Sequence, residues 1–232
     1  MPDRPNILFL ITDQQRFDTI AALGNSAIRT PNLDRLVEGG TAFTHAVTPA
    51  PECVPARCAF TYGLYPAQTG CYGVGDPFPL DEREPFMAAL TREGYRTHGI
   101  GKYHFDHPQA ERIFDPNGFE TRETQEEIHA FPEKDDYLQY LWKQGFRHVL
   151  DPHGVRGDMY YMPQPSPLPD EHHPTQWVGD RAVAFLRERE GSAQPWMCYA
   201  SFIHPHPPFS PPPPWHKLYR DLDVPAPFEP PG

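Results

Sequence analysis

Two apolar runs near opposite ends of the chain decide the fold: Asn6-Ile7-Leu8-Phe9-Leu10-Ile11-Thr12 and Trp196-Met197-Cys198-Tyr199-Ala200-Ser201-Phe202-Ile203. Each is continuous rather than alternating, and each ends abruptly in polar residues. Such runs mark strands covered on both faces of a parallel sheet. The first delivers Asp13-Gln14 and the second His204-Pro205-His206. Open α/β sheets place their ligands beyond the carboxyl ends of the strands, so these polar ends are the first candidates for a site. Asp13 at a turn serves equally well as a helix cap.

Helical patterns fill the space between the runs. Thr30-Pro31 opens a helix with Leu33, Leu36 and Val37 on one face and Gly39-Gly40 at its end. Thr41 to Val47 reads as a short strand, and a helix from Pro55 closes near Gly63. A further helix from about Glu84 to Glu93 precedes a strand from Tyr95 to Ile100, which delivers Gly101-Lys102-Tyr103-His104. Residues 105–132 read as polar loop, and Asp135 to Gln144 as a helix with Tyr137, Leu138 and Leu141 as its stripe. Thr175 caps a stronger helix carrying Val178, Ala182, Phe185 and Leu186. This alternation predicts an α/β fold with a mostly parallel central sheet flanked by helices. The 31 prolines concentrate late in the chain, so irregular segments are expected at about 145–174 and 204–232. Within these, Pro205 to Pro214 reads as a stiffened surface segment rather than a polyproline ligand.

Composition narrows the function classes. The net charge of −11 argues against nucleic acid bound through a basic field. Any anion must therefore be held by local cations. The four cysteines, Cys53, Cys58, Cys71 and Cys198, show no CxxC pair and no zinc-finger spacing, which points to thiols rather than a disulfide framework. The strictly apolar part of the first run, Ile7 to Ile11, is shorter than the roughly 7–15 residues of a signal-peptide core, and nothing approaches transmembrane length. The expectation is a cytoplasmic protein without membrane partners.

Cys53-Val54-Pro55-Ala56-Arg57 is the most compact chemical unit. Pro55 suits the first turn of a helix, which puts Cys53 at the N-terminus, where free N–H groups favour negative charge. Arg57 follows four residues later on the same face. Reactive thiols occupy such electropositive positions, so this is where a nucleophile and an oxyanion would meet. Lys102 with His104, and His204 with His206, are spaced i, i+2, so each pair can point to one side of an extended backbone. Singly, each of these residues is more often structural or solvated. A zinc site lacks the expected ligand spacing.

Together these stretches resemble the formylglycine-dependent sulfatases of the alkaline phosphatase superfamily. The markers are Pro5-Asn6 through Asp13-Gln14, Thr30-Pro31-Asn32-Leu33-Asp34, Cys53-x-Pro55-x-Arg57 with Gly63-Leu64-Tyr65-Pro66, Gly101-Lys102-Tyr103-His104, and Pro205-His206-Pro207-Pro208-Phe209. The resemblance runs from Pro5 to about Pro214. It implies that a maturase, the formylglycine-generating enzyme, oxidises Cys53 to an aldehyde that hydrates to a geminal diol. One hydroxyl would attack the sulfur of a small-molecule sulfate ester and the other would then expel sulfate. Arg57 would hold the diol, and His104 would assist its proton transfers. Lys102 and His206 would bind sulfate oxygens, with His204 the weaker candidate. Asp13, Gln14 and the converted Cys53 would ligate a divalent cation, Ca²⁺ or Mg²⁺.

Two departures stand out. Thr61-Tyr62-Gly63 replaces the usual Leu-Thr-Gly, a region that also helps recognition by the maturase. The later Asp-His-Gly or Asp-Asn segment that completes the family's metal site does not occur before Gly232. Residues 1–232 are thus expected to be the N-terminal part of a single catalytic domain, inactive by itself. The alternatives are a phosphonate monoester or phosphodiester hydrolase of the same superfamily, or an inactive truncated fragment. The sequence names neither the ester nor an oligomeric state.

Overall fold

A computed structural model describes residues 4–79, 83–105, 117–128, 130–222, 224 and 226. In chain order the main elements are β1 (Ile7–Thr12), α1 (Pro31–Gly39), α2 (Cys53–Tyr62), α3 (Pro66–Thr69), α4 (Phe86–Arg92), β2 (Arg96–Gly101), β3 (Thr121–Thr124), α5 (Asp136–Lys143), α6 (Pro174–Glu188) and β4 (Trp196–Phe202). The four strands form one sheet in the order β1-β4-β2-β3, every pair parallel. The parallel α/β expectation therefore holds.

The last strand in sequence lies in the middle, and its composition explains why. Met197 and Tyr199 face one core, with Val54, Cys58, Met87, Tyr103 and Phe119. Cys198 and Ala200 face the other, with Ile100, Leu141, Trp177, Val178 and Phe185. A strand with apolar residues on both faces is stable only between two covered neighbours.

The first run departs from its expectation. Ile7, Phe9 and Ile11 pack on one core, whereas Leu8 and Leu10 are 44% and 51% exposed. Among the described residues β1 is an edge strand, and α6 packs on β4 and β2 instead of over it. Thr41 to Val47 is not a strand: Phe43 and Val47 stand in solvent, and no strand among the described residues pairs with them. Helix α1 buries none of its residues, and Leu36 is exposed. The α6 cap is His173, whose ring accepts from Thr175 N, so Thr175 lies inside the helix it was expected to cap.

The expected loop 105–132 contains β3, a short polar strand hidden in Thr121-Arg122-Glu123-Thr124; the part of that loop at 106–116 lies outside the described residues. From β3 the chain enters a buried stretch tied down at every step. Thr124 N donates to Asp136 Oδ2 at 2.7 Å and Glu126 N to Asp135 Oδ2 at 2.7 Å. Asp135 in turn caps α5 by accepting from Leu138 N. Glu126 Oε1 accepts from Tyr103 N and His104 N, at 2.9 and 3.2 Å, and so fixes the loop after β2.

Burial pushes Glu126 up to about 7, against the backbone N–H donors that favour its charged form. Between pH 4.5, its ordinary value, and about 7, the unfolded chain has lost this proton and the folded one has kept it. Stability therefore falls as pH rises through that window, by about 3 kcal/mol in all. Glu126→Gln keeps the acceptor and removes the titration. Thermal unfolding followed from pH 4.5 to 7.5 should show a shallower decline in Glu126→Gln than in the wild type. Parallel curves would show that Glu126 is ionised throughout.

Candidate active site

The ends of β1, β2 and β4 and the start of α2 meet at one point. Chain direction alone brings them together, because parallel strands present all their carboxyl ends on one side. Asp13 follows β1 directly, its N–H donating to Phe202 O at 3.1 Å and extending the β1–β4 ladder. At the end of β2, Gly101 has φ +94°, and a Cβ there would overlap the Ser201 carbonyl oxygen. Only glycine permits this approach, which sets Lys102 beside β4 with its N–H on Ser201 O at 3.1 Å.

Helix α2 begins at Cys53, with Glu52 as N-cap, and ends on Gly63 in the left-handed conformation. Cys53 therefore stands at the helix N-terminus, as expected. One turn on, Arg57 is buried with both of its Nη atoms engaged. Its Nη1 donates to Lys102 O at 2.7 Å, Ser201 Oγ at 3.1 Å and Tyr199 Oη at 3.3 Å, and its Nη2 to Asp13 Oδ2 at 3.0 Å. These bonds run to strand ends rather than to the sulfur.

Lys102, fully buried, sits at the centre. Its Nζ lies 2.8 Å from Asp13 Oδ2, 3.0 Å from Glu127 Oε1 and 3.6 Å from Cys53 Sγ. Burial alone would strip its proton, but the carboxylates of Glu127 and Asp13 outweigh that and raise its pKa. Burial likewise raises Asp13, and Lys102 and Arg57 more than reverse the effect, holding it at about 2. The Cys53 thiol donates toward Asp13 Oδ1 at 3.6 Å. Burial pushes it above its ordinary value despite the nearby ammonium of Lys102. It is a neutral thiol, not the thiolate that a helix start alone would favour.

His104 adopts φ +46° and Gln14 φ +55°, a region costly for non-glycine residues and concentrated at functional sites. Burial, reinforced by Lys102 and Arg57, keeps the His104 ring neutral. Its Nε2 is 3.5 Å from both Glu126 Oε2 and Glu127 Oε1, and neither ring nitrogen has a hydrogen-bond partner among the described residues. His206 Nδ1 lies 2.6 Å from Pro207 O and 3.2 Å from Glu127 Oε2. Both neighbours are acceptors, so Nδ1 carries the proton and Nε2 is left with a lone pair.

Gln14 is exposed beside this cluster, and with Asp13, Glu52, Cys53 and Arg57 it lines an open cleft of about 760 Å³. Of the expected residues, Asp13, Cys53, Arg57, Lys102, His104 and His206 thus converge, with Gln14 at the rim. His204 does not join them. Its ring packs on His173 at 4.9 Å and its Nδ1 meets Thr175 Oγ1 at 3.2 Å. The i, i+2 argument fails there because the segment turns, His206 N donating to Ile203 O, and is not extended.

Three charged residues in the site were missed. Glu126 and Glu127 come just beyond the end of β3, after Gln125, and recognising that polar strand would have exposed them. Arg156, in the Pro- and Gly-rich loop, reaches Glu127 at 3.2 Å and carries no local signal. Asp13, Cys53 and His206 place ligand atoms within 4.8 Å of one another, as do Cys53, His104 and Glu127. No helix among the described residues is long and apolar enough to cross a membrane.

Known proteins are similar to this chain. The family model described as Sulfatase matches residues 5–226. An arylsulfatase of Clostridium perfringens is 30% identical over 97% of this chain and 48% of its own length. The multifunctional alkaline phosphatase superfamily protein PehA of Trinickia caryophylli is also 30% identical, over 97% of this chain and 46% of its own length. The chain spans about half the length of the curated relatives it matches. Among solved structures, the phosphonate monoester hydrolase of Agrobacterium radiobacter superposes with a TM-score of 0.75 at 27% identity, covering 96% of this chain and 45% of that one. With its whole sheet and the ends of three strands inside the matched span, this chain belongs to the sulfatase family.

Proposed function

We propose that this chain carries the nucleophile, the anion-binding cations and part of the metal site of a sulfuric ester hydrolase. One observation carries the reading: Lys102 Nζ lies within 3.6 Å of Cys53 Sγ while paired with the same Asp13 carboxylate that Arg57 holds. A nucleophile flanked by buried, permanently charged cations suits attack on an anionic ester, where negative charge builds on peripheral oxygens.

The neutral Cys53 thiol favours its role as a precursor. A half-buried thiol without a thiolate population is a weak nucleophile. Conversion to formylglycine would supply a hydrated aldehyde, with one hydroxyl to attack and a second to release the product. Lys102 would hold the ester oxygens, and His206 would donate its Nδ1–H to them. His104, neutral and unpartnered, is placed to take or return a proton at the nucleophile. Arg57 positions Asp13 and Lys102 from behind.

The donors fit a hard cation. Asp13 stays ionised, and Gln14 offers an amide oxygen at the cleft; both are ligand types that Ca²⁺ and Mg²⁺ prefer. Together with residue 53 they would hold the ion as part of a larger oxygen set, since Ca²⁺ takes about six to eight ligands. The cation would supply Lewis-acid polarisation. We infer a small-molecule sulfate ester as the partner, with the formylglycine-generating enzyme acting on Cys53 beforehand.

A second reading has its own support. The structural neighbour at 27% identity is a phosphonate monoester hydrolase, and a singly charged phosphonate or phosphodiester has the charge and tetrahedral shape of a sulfate ester. Turnover of an aryl sulfate and an aryl phosphonate monoester by one preparation of a full-length protein carrying residues 1–232 separates the two. We expect the sulfate to have the higher kcat/KM, and a large excess for the phosphonate would overturn the sulfatase assignment. Lys102→Ala should lower kcat/KM for the preferred ester by about 10²-fold or more, the scale of a lost transition-state charge donor. Undiminished turnover in that variant would remove Lys102 from the site.

A further inference from the structure

Glu127 is an acid in the middle of an anion site. It is 6% exposed, and its carboxylate meets two cations, Lys102 and Arg156, and two neutral rings, His104 and His206. Oε1 lies 3.0 Å from Lys102 Nζ and 3.5 Å from His104 Nε2. Oε2 lies 3.2 Å from both His206 Nδ1 and Arg156 Nη2. Lys102 and His206 are the groups that the functional reading above assigns to the ester oxygens, His104 is the one it assigns to proton transfer, and Arg156 is added to them. Cys53 Sγ, His104 and Glu127 have polar atoms within 4.8 Å of one another, so the carboxylate also borders the nucleophile.

A tetrahedral anion and this carboxylate cannot share those donors. We propose that Glu127 is an internal counter-anion: it occupies the sulfate seat of the empty site and is displaced when the ester enters. The proposal rests on the reading of this cluster as an anion site. The physical need is plain, because a buried ammonium left without a partner is strongly destabilising. Asp13 neutralises part of the Lys102–Arg57–Arg156 charge, and Glu127 supplies the second carboxylate.

The loop is built to let the side chain move while the backbone stays. Arg156 Nη2 also donates to the Glu127 carbonyl oxygen at 3.0 Å, a bond independent of where the carboxylate points. The preceding Glu126 is clamped through its N–H by Asp135 and through its carboxyl by Tyr103 N and His104 N. Arg156 itself comes from a half-exposed position on the loop beside the cleft, with its guanidinium over the Tyr160 ring at 5.5 Å.

Competition within the site has a measurable consequence. If the seat is free only about 1–10% of the time, the apparent affinity of an anion is reduced about 10- to 100-fold. Inorganic sulfate titrated calorimetrically into the protein provides the probe. Glu127→Ala and Glu127→Gln should bind sulfate about tenfold or more tightly than the wild type, and Lys102→Ala should lose most of the binding. Glu127→Gln preserves the shape and carries the test if the alanine variant does not fold. Lys102-dependent binding that is unchanged or weaker in the Glu127 variants would overturn the counter-anion role and leave the anion site standing. Binding that is absent throughout, or indifferent to Lys102, would overturn the site and the counter-anion together.

Discussion

The Arg57 guanidinium bonds at once to the residue after β1, to the residue after β2 and to two side chains of β4, and it does so from the helix that begins with Cys53. No apolar contact could set these four segments in register to within a hydrogen bond. The guanidinium stays charged when buried, and its planar fork spends every bond on a defined acceptor. Removing one member of such a buried pair typically costs about 3–5 kcal/mol. Asp13 holds its proton affinity down only because Arg57 and Lys102 flank it, and Lys102 keeps its charge only because Asp13 and Glu127 do the same. The site is a set of mutually dependent ionisations, and its geometry and its charge state stand or fall together.

This local balance contrasts with the chain as a whole. At a net charge of −11 the general field repels anions, so selectivity for an anionic ester must come from buried cations at short range, where screening is weak. Lys102, Arg57 and Arg156 provide that charge. The neutral rings of His104 and His206 add directional nitrogen atoms without adding charge, which leaves them available for proton transfer.

Much of the framework was legible because burial leaves a strong trace in composition. β4 and β2 lie under two covered faces, and their residues say so. Glycine at the ends of α2 and β2 marked turns that only glycine makes. Elsewhere the trace was absent or misleading. Leu8 and Leu10 read as core, yet a sequence records a residue's preference for cover and not whether a neighbour supplies it. β3 is short and polar, so periodicity could not find it, and Glu126 and Glu127 were lost with it. His204 and His206 looked equivalent because spacing assumes an extended backbone, which the turn at Ile203–His206 does not provide. The site residues taken from motifs were found together because parallel strand ends share one edge. Arg156, drawn in from a distant loop, obeys no such rule.

The account centres on Cys53 as the origin of the nucleophile rather than the nucleophile itself. The direct test is mass spectrometry of the peptide containing Cys53 and Arg57, from protein produced together with a formylglycine-generating enzyme. The account predicts that the residue exchanges its sulfur for oxygen with loss of two hydrogens, and that the product reacts with a hydrazide as an aldehyde does. An intact thiol, alkylated quantitatively in an active preparation, would contradict it.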